Sequence, residues 1–156
     1  MRTAWGELIE ENREKILDRW IERGLSIFSE KIGRDTPIGE SLSEGLAMML
    51  DGIEENSKSF IAAVNQIVRI LAVQPLPPSK ALSLFLELKT ILHDTAPKEG
   101  NKHAMKQADW DAFQTRIEQI TLVAFDCYMA NREKIYQLKV EESKRQAFML
   151  LRRAQG

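Results

Sequence analysis

The sequence of 156 residues has one cysteine, two histidines and no long apolar run. Because Cys127 is alone, no internal disulfide can form, and a zinc site can use at most one thiolate. No stretch approaches the roughly 18 apolar residues of a membrane-spanning helix. The opening stretch, MRTAWGELIEENREK, lacks the apolar run of a signal peptide. These absences predict a cytoplasmic protein without a membrane span.

The charge is nearly balanced overall but unevenly distributed. The net charge is −1, yet residues 1–56 carry 7 basic and 13 acidic side chains, and residues 132–156 carry 7 basic and 3 acidic ones. The basic residues of the tail are not accompanied by interleaved aromatics or by a known binding motif, so nucleic acid is not an expected partner. An acidic N-terminal segment and a basic C-terminal segment are compatible with either a solvated helix or a protein interaction surface.

Apolar residues recur at helical spacing in five segments, and no segment alternates as a strand would. The first segment runs from Trp5 to Phe28 and should end near Gly33, while Thr36 and Pro37 have the residue types that begin a second helix. A third segment ends at the proline-rich stretch QPLPPS, a fourth starts at Pro78, and a fifth follows a polar loop. The pattern predicts an all-α fold.

The last segment is longer than a compact domain requires. A helix from Asp109 to Arg153 would be about 68 Å long at 1.5 Å per residue, whereas a domain of this size is about 40 Å across. We therefore expect a single domain over residues 1–156, with a core at about 4–138 and a protruding helix at about 139–154. The apolar seam of this helix and the patch AFMLL near its end indicate an interface with a second copy or another protein. The candidate interface residues are Ile135, Leu138, Phe148, Met149 and Leu151.

The pentapeptide NREKI occurs twice, at residues 12–16 and 131–135. The flanking residues of the two copies differ, so an internal repeat is not indicated. The pattern predicts that each copy forms one solvated helical turn with a single apolar residue facing the core, either Ile16 or Ile135.

Motifs for catalysis are missing, since the sequence has no phosphate-binding loop, nucleophile elbow or metal-ligand spacing. We therefore expect no enzyme activity, no resident cofactor and no metal. One alternative is a sensor of haem or of a small apolar molecule, in which His93 would be the axial haem ligand. Cys127 lies on the apolar stripe of the last helix and is expected to be a small core residue rather than a reactive thiol.

Three stretches carry a family resemblance: LIEENREKILDRW at 8–20, VRILAVQPLPPSKALSLFLELKTIL at 68–92, and LVAFDCYMANREKIYQLKVEESKR at 122–145. Together they resemble the RsbRD N-terminal domain family of RsbT co-antagonist proteins, over residues 5–150. The resemblance implies an all-helical domain akin to the non-haem globin-like sensor domains of bacterial RsbR proteins. With the five helical segments above, the expected fold is a five-helix globin-like bundle with a long C-terminal helix. Those domains dimerise, receive stress signals and have no known catalytic residues, and their last helix leads into a STAS domain. This sequence ends at Gly156, so a stand-alone or truncated member without STAS is expected.

Overall fold

The computed structural model describes residues 2–98 and 100–155, and these residues form six α-helices and no strand. The helices are α1 (Ala4–Glu11), α2 (Arg13–Ser26), α3 (Pro37–Asp51), α4 (Lys58–Ala72), α5 (Pro78–Thr95) and α6 (Gln107–Gln155). The predicted all-α class and the long last helix are confirmed. A specifically globin-like arrangement of the helices stays a prediction.

Helix boundaries follow local side-chain chemistry. Thr36 caps α3, since its hydroxyl accepts a hydrogen bond from the Gly39 N–H at 3.0 Å, and Pro37 occupies the first turn. The Ser57 hydroxyl caps α4 in the same way, at 3.1 Å from the Phe60 nitrogen. Pro78 stands in the first turn of α5, as predicted.

The prediction of one helix from Trp5 to the neighbourhood of Gly33 was wrong, because the segment forms two helices and ends earlier. The break falls at Asn12, whose backbone φ of −117° and ψ of 23° lie outside the α-helical region. The second helix ends at Ser26, whose hydroxyl donates to the Arg23 carbonyl, and the chain then turns so that Ile27 and Phe28 are buried. This accounts for six helices instead of five.

The core is one cluster in which α6 packs against α4 and α5, while α2 packs against α3 and α5. Trp20 lies at its centre with no exposed surface, and its indole N–H donates to the Leu84 carbonyl at 2.8 Å. The two helices α2 and α5 are thereby joined by a buried hydrogen bond as well as by apolar contacts.

The last helix extends well past the core. It has 49 residues, which corresponds to about 74 Å. Its last core contact is the half-buried Ile135, and every residue from Tyr136 to Gln155 is exposed. About 30 Å of helix therefore projects into solvent.

Candidate functional site

The core half of α6 is fixed by an arginine that reaches the end of α3. The Arg116 Nε donates to the Ile53 carbonyl at 2.7 Å, and its guanidinium lies 5.0 Å from the centre of the Phe60 ring. A cation near the C-terminal end of a helix is favoured by the helix dipole. Arg116 is only 8% exposed, and its Nη2 has no hydrogen-bond partner within the described residues. Burial lowers the pKa of this guanidinium.

A second arginine of α6, Arg132, ties this helix to the end of α4. The Arg132 Nη1 donates to the Ala72 carbonyl at 2.8 Å, and the guanidinium lies near the Tyr128 and Tyr136 rings. One turn of the helix is further secured by Asn131, whose amide donates to the Asn65 side chain and to the Cys127 carbonyl. Together with Arg116, these bonds hold α6 against α3 and α4 at two separate levels.

The two NREKI copies have similar local chemistry in different settings. Asn12 and Asn131 each donate to the carbonyl four residues earlier, yet α1 ends beside Asn12 whereas α6 continues through Asn131. The arginines that follow tie their helices to neighbours, Arg13 through Asp51 and Arg132 through the end of α4. The copies thus lie in different structural settings, and their independence stays a prediction.

Two substitutions of Arg116 should distinguish the contribution of its packing to stability from the contribution of its charge. Both variants leave the Ile53 carbonyl without its donor. In Arg116→Met the buried volume is nearly kept and the removal of a desolvated charge offsets the lost bond, so we expect the free energy of unfolding to change by less than about 1 kcal/mol. In Arg116→Ala the side-chain packing is lost as well, so we expect a loss of about 2 kcal/mol. Urea denaturation measures both. Equal losses in the two variants would show that the hydrogen bond, not the packing, dominates.

The outer side of α6 carries an apolar series that is not covered by the chain. We call it the outward stripe, and it consists of Leu122, Phe125, Met129, Tyr136, Val140, Ala147 and Leu151. At 100° per residue these positions lie opposite Phe113, Ile117 and Ala124, which face the core. Its six large side chains are between 39% and 67% exposed. By the same count the exposed Glu133 lies on this face between Met129 and Tyr136, and the stripe is apolar on either side of it. An exposed apolar surface of this length is typical of a protein interface.

The five predicted interface residues lie on different faces of α6. Ile135 packs partly against the chain's own core, and Leu138 is exposed on the continuation of that inner face. Leu151 belongs to the outward stripe. Phe148 and Met149 are exposed beside it, and with Leu150 and Leu151 they surround the helix end on all sides. Their role in an interface stays a prediction.

His93, the candidate haem ligand, lies at the surface near the end of α5. Its imidazole stacks on the Trp110 indole, with the ring centres 3.8 Å apart and the planes 7° from parallel. The side chain is exposed, so His93 does not point into the core between the helices. The stack connects α5 to the first turn of α6.

Cys127 is half-buried on the core side of α6. Burial raises the pKa of its thiol, and the neighbouring Asp126 carboxylate raises it further. A thiol with a raised pKa is mostly protonated at neutral pH and therefore a poor nucleophile. The environment agrees with the prediction of a core residue.

The reactivity of Cys127 should follow this raised pKa. We expect iodoacetamide to alkylate the folded protein at pH 7.5 at least tenfold more slowly than a free cysteine peptide, because little thiolate is present. The rate should rise with pH and should match the peptide in urea. The alkylation rate is measured by mass spectrometry of samples taken at successive times. Fast alkylation of the folded protein at neutral pH would instead indicate a reactive thiol.

A surface cleft of about 410 Å³ lies between α1 and the loop that joins α3 to α4. Glu54 stands in this cleft and accepts hydrogen bonds from the Thr3 backbone at 2.9 Å and from the Thr3 hydroxyl at 2.6 Å. Burial by itself would raise the pKa of Glu54, but the Thr3 hydrogen bonds and nearby Arg2 lower it overall. Arg13 pairs with Asp51 across the same cleft at 2.6 Å. The Thr3 bonds hold the start of α1 to the loop between α3 and α4, and the Arg13–Asp51 pair holds the start of α2 to the end of α3.

Across residues 2–98 and 100–155, no group of three or more His, Cys, Asp or Glu side chains is placed to hold a metal ion. In the same part of the chain, no helix combines the length and the apolar character needed to cross a membrane.

The described residues form an all-helical domain. Its last helix packs against the core along one face and is exposed to solvent along the other. Residues 14–142 match the model of the RsbT co-antagonist protein rsbRD N-terminal domain, and the chain belongs to that family. A protein of Archaeoglobus fulgidus described as uncharacterized is 32% identical over 139 residues, which cover 84% of each chain. No solved structure matches the chain.

Proposed function

We propose that this protein is a non-catalytic signalling domain of the cytoplasm that acts as a homodimer. Its last helix transmits a stress signal or scaffolds a partner. The family assignment supports the signalling role, because residues 14–142 match a domain of a co-antagonist protein. The outward stripe supports the dimer, since it exposes six large apolar side chains along one face of one helix.

The observation that carries this proposal is the projection of α6. Residues 136–155 are all exposed, although they include Tyr136, Leu138 and Val140 as well as the apolar end from Phe148 to Leu151. Most helical stability in proteins comes from tertiary packing, and the chain supplies none to residues 136–155. Contact with a second chain would cover its apolar side chains and stabilise the helical conformation.

Sedimentation velocity over a concentration series tests the dimer directly. The full-length protein should sediment as a dimer at micromolar concentration. A version ending at Leu138 loses residues that are exposed wherever the structure describes them, from 139 to 155, so its core should remain intact while its dissociation constant rises at least tenfold. Two monomers with the same behaviour would contradict the proposal.

The alternative of a haem or apolar-ligand sensor stays a prediction from the sequence. The exposed position of His93, stacked on Trp110, does not favour it. Protein purified from haem-replete cells should therefore show no Soret absorbance. A Soret band that disappears in His93→Ala would overturn this expectation.

A further inference from the structure

We infer that residues 143–155, which we call the tail segment, bind the surface of an anionic lipid bilayer. The inference goes beyond the proposed homodimer, because it concerns a different partner and leaves the outward stripe over residues 122–136 to a second copy. Three observations carry it: the charge of the tail segment, the separation of its apolar and basic side chains, and its exposure beyond the core.

The tail segment carries positive charge only. It has four basic side chains and no aspartate or glutamate, and the basic residues are Lys144, Arg145, Arg152 and Arg153. Among the described residues, only Arg145 of these four pairs with a carboxylate, the Glu142 side chain at 3.5 Å. The net charge of the whole chain is −1, so positive charge is concentrated where the helix projects. Anionic lipids attract basic side chains through their negative surface potential.

The apolar and basic side chains of the tail segment lie on different faces. At 100° per residue, an arc of about 160° holds the two alanines and three large apolar residues, Phe148, Leu150 and Leu151. The remaining part of the helix surface holds Arg145, Arg152 and Arg153. Lys144 stands within the apolar arc, where a long stem can lie on apolar surface while its ammonium group reaches water. A helix with one apolar and one basic face is typical of segments that lie in the plane of a lipid surface.

The tail segment is open to a large flat partner. Phe148, Leu150 and Leu151 are 61%, 64% and 62% exposed. The last residue of α6 that packs on the core is Ile135, so the tail segment begins about 12 Å farther along the helix. The core therefore does not shield the apolar arc. Attachment of this kind uses one face of a helix and needs no membrane-spanning segment.

The area of the tail segment favours a lipid surface over a folded acidic protein. Its 13 residues form a helix about 20 Å long, and one face about 10 Å wide offers roughly 200 Å². Specific protein interfaces bury about 800 Å² per partner, so this face is too small to hold a protein by itself. A lipid surface adapts to the helix, and the attraction of the basic residues adds to the burial of the apolar ones.

Flotation of the full-length protein with vesicles tests the inference. With vesicles of phosphatidylcholine and phosphatidylglycerol at low salt, the protein should float with the lipid, and with vesicles of phosphatidylcholine alone it should remain in solution. Binding should weaken at least tenfold in about 1 M salt, where the screening length falls to about 3 Å.

Two double substitutions test the two faces separately. Arg152→Glu with Arg153→Glu should weaken binding to the anionic vesicles at least tenfold, because two attractive charges become repulsive. Phe148→Gln with Leu150→Gln should have an effect of similar size through lost apolar burial. Met149→Gln is the matched control, because Met149 is 50% exposed but lies among the arginines, and its binding should stay within about twofold of the wild type.

The outcomes separate this inference from the proposed homodimer, which sedimentation measures without vesicles. Failure to float with the anionic vesicles would overturn the inference and leave the homodimer untouched. Equal flotation with phosphatidylcholine alone would contradict it, since charge would then not select the surface. An equal loss in Met149→Gln and in the Phe148 and Leu150 variant would show that the assigned face is wrong. Retention on immobilised polyglutamate without flotation would assign the basic residues to an acidic protein and would also overturn it.

Discussion

Replacing Trp20 with alanine should lower the free energy of unfolding by about 4 kcal/mol, which is within the range for a large aromatic residue removed from a core. Trp20 has no exposed surface and lies between α2 and α5. The substitution removes both its apolar contacts and the hydrogen bond from its indole to the Leu84 carbonyl. Because the surrounding helices cannot fully collapse into the space, a cavity should remain.

Trp20→Phe separates the effect of the lost hydrogen bond from the effect of the lost volume. It keeps most of the buried volume and loses the hydrogen bond, so we expect a loss of about 2 kcal/mol. Trp110→Ala is the control, because Trp110 is half-buried and stacks on an exposed histidine, and its removal should have a smaller effect. Urea denaturation followed by circular dichroism compares the three variants. A loss below about 1 kcal/mol in Trp20→Ala would show that Trp20 is not central to the core.

The double substitution Met129→Glu with Tyr136→Glu should raise the dimer dissociation constant at least 1,000-fold. Both side chains belong to the outward stripe, so a dimer would contain four buried carboxylates without partners, each costing several kcal/mol. In the monomer both positions are already exposed, at 39% and 59%. The fold and the helix content should therefore be unchanged.

Leu138→Glu is a matched control for this effect, since Leu138 is 59% exposed but lies on the inner face. It should leave the dissociation constant within about threefold of the wild type. Sedimentation equilibrium gives the constants, and circular dichroism confirms the fold. If Leu138→Glu dissociates the dimer and the double substitution does not, the interface lies on the inner face.

The sequence predicts an interface along the inner seam through Ile135 and Leu138 and at the helix end through Phe148, Met149 and Leu151, because the seam continues the apolar spacing of the core residues. Of these five residues, only Leu151 belongs to the outward stripe. The same sequence contains two further apolar series with an interval of 11 residues, one beginning at Phe125 and the other at Met129. Periodicity shows which residues share a face of a helix, but it does not show which face the rest of the chain covers.

The family membership, the all-helical class and the long last helix were all determined by the sequence alone. Local rules suffice for these features. Thr36 with Pro37 begins a helix, three prolines between residues 75 and 78 interrupt one, and the absence of proline and glycine from residue 107 to 155 allows a single helix of 49 residues. Each of these signals acts over a few neighbouring residues.

Only the tertiary structure decided how α6 is held and which of its faces is free. Arg116 and Arg132 donate to the carbonyls of Ile53 and Ala72, more than 50 residues earlier, and no local sequence pattern indicates these partners. His93 lies flat on Trp110 instead of facing the core. The physical reason is the same in each case. The partner of a long polar side chain depends on which helix ends pack beside it, and that arrangement is set by the burial of the whole core rather than by the local sequence.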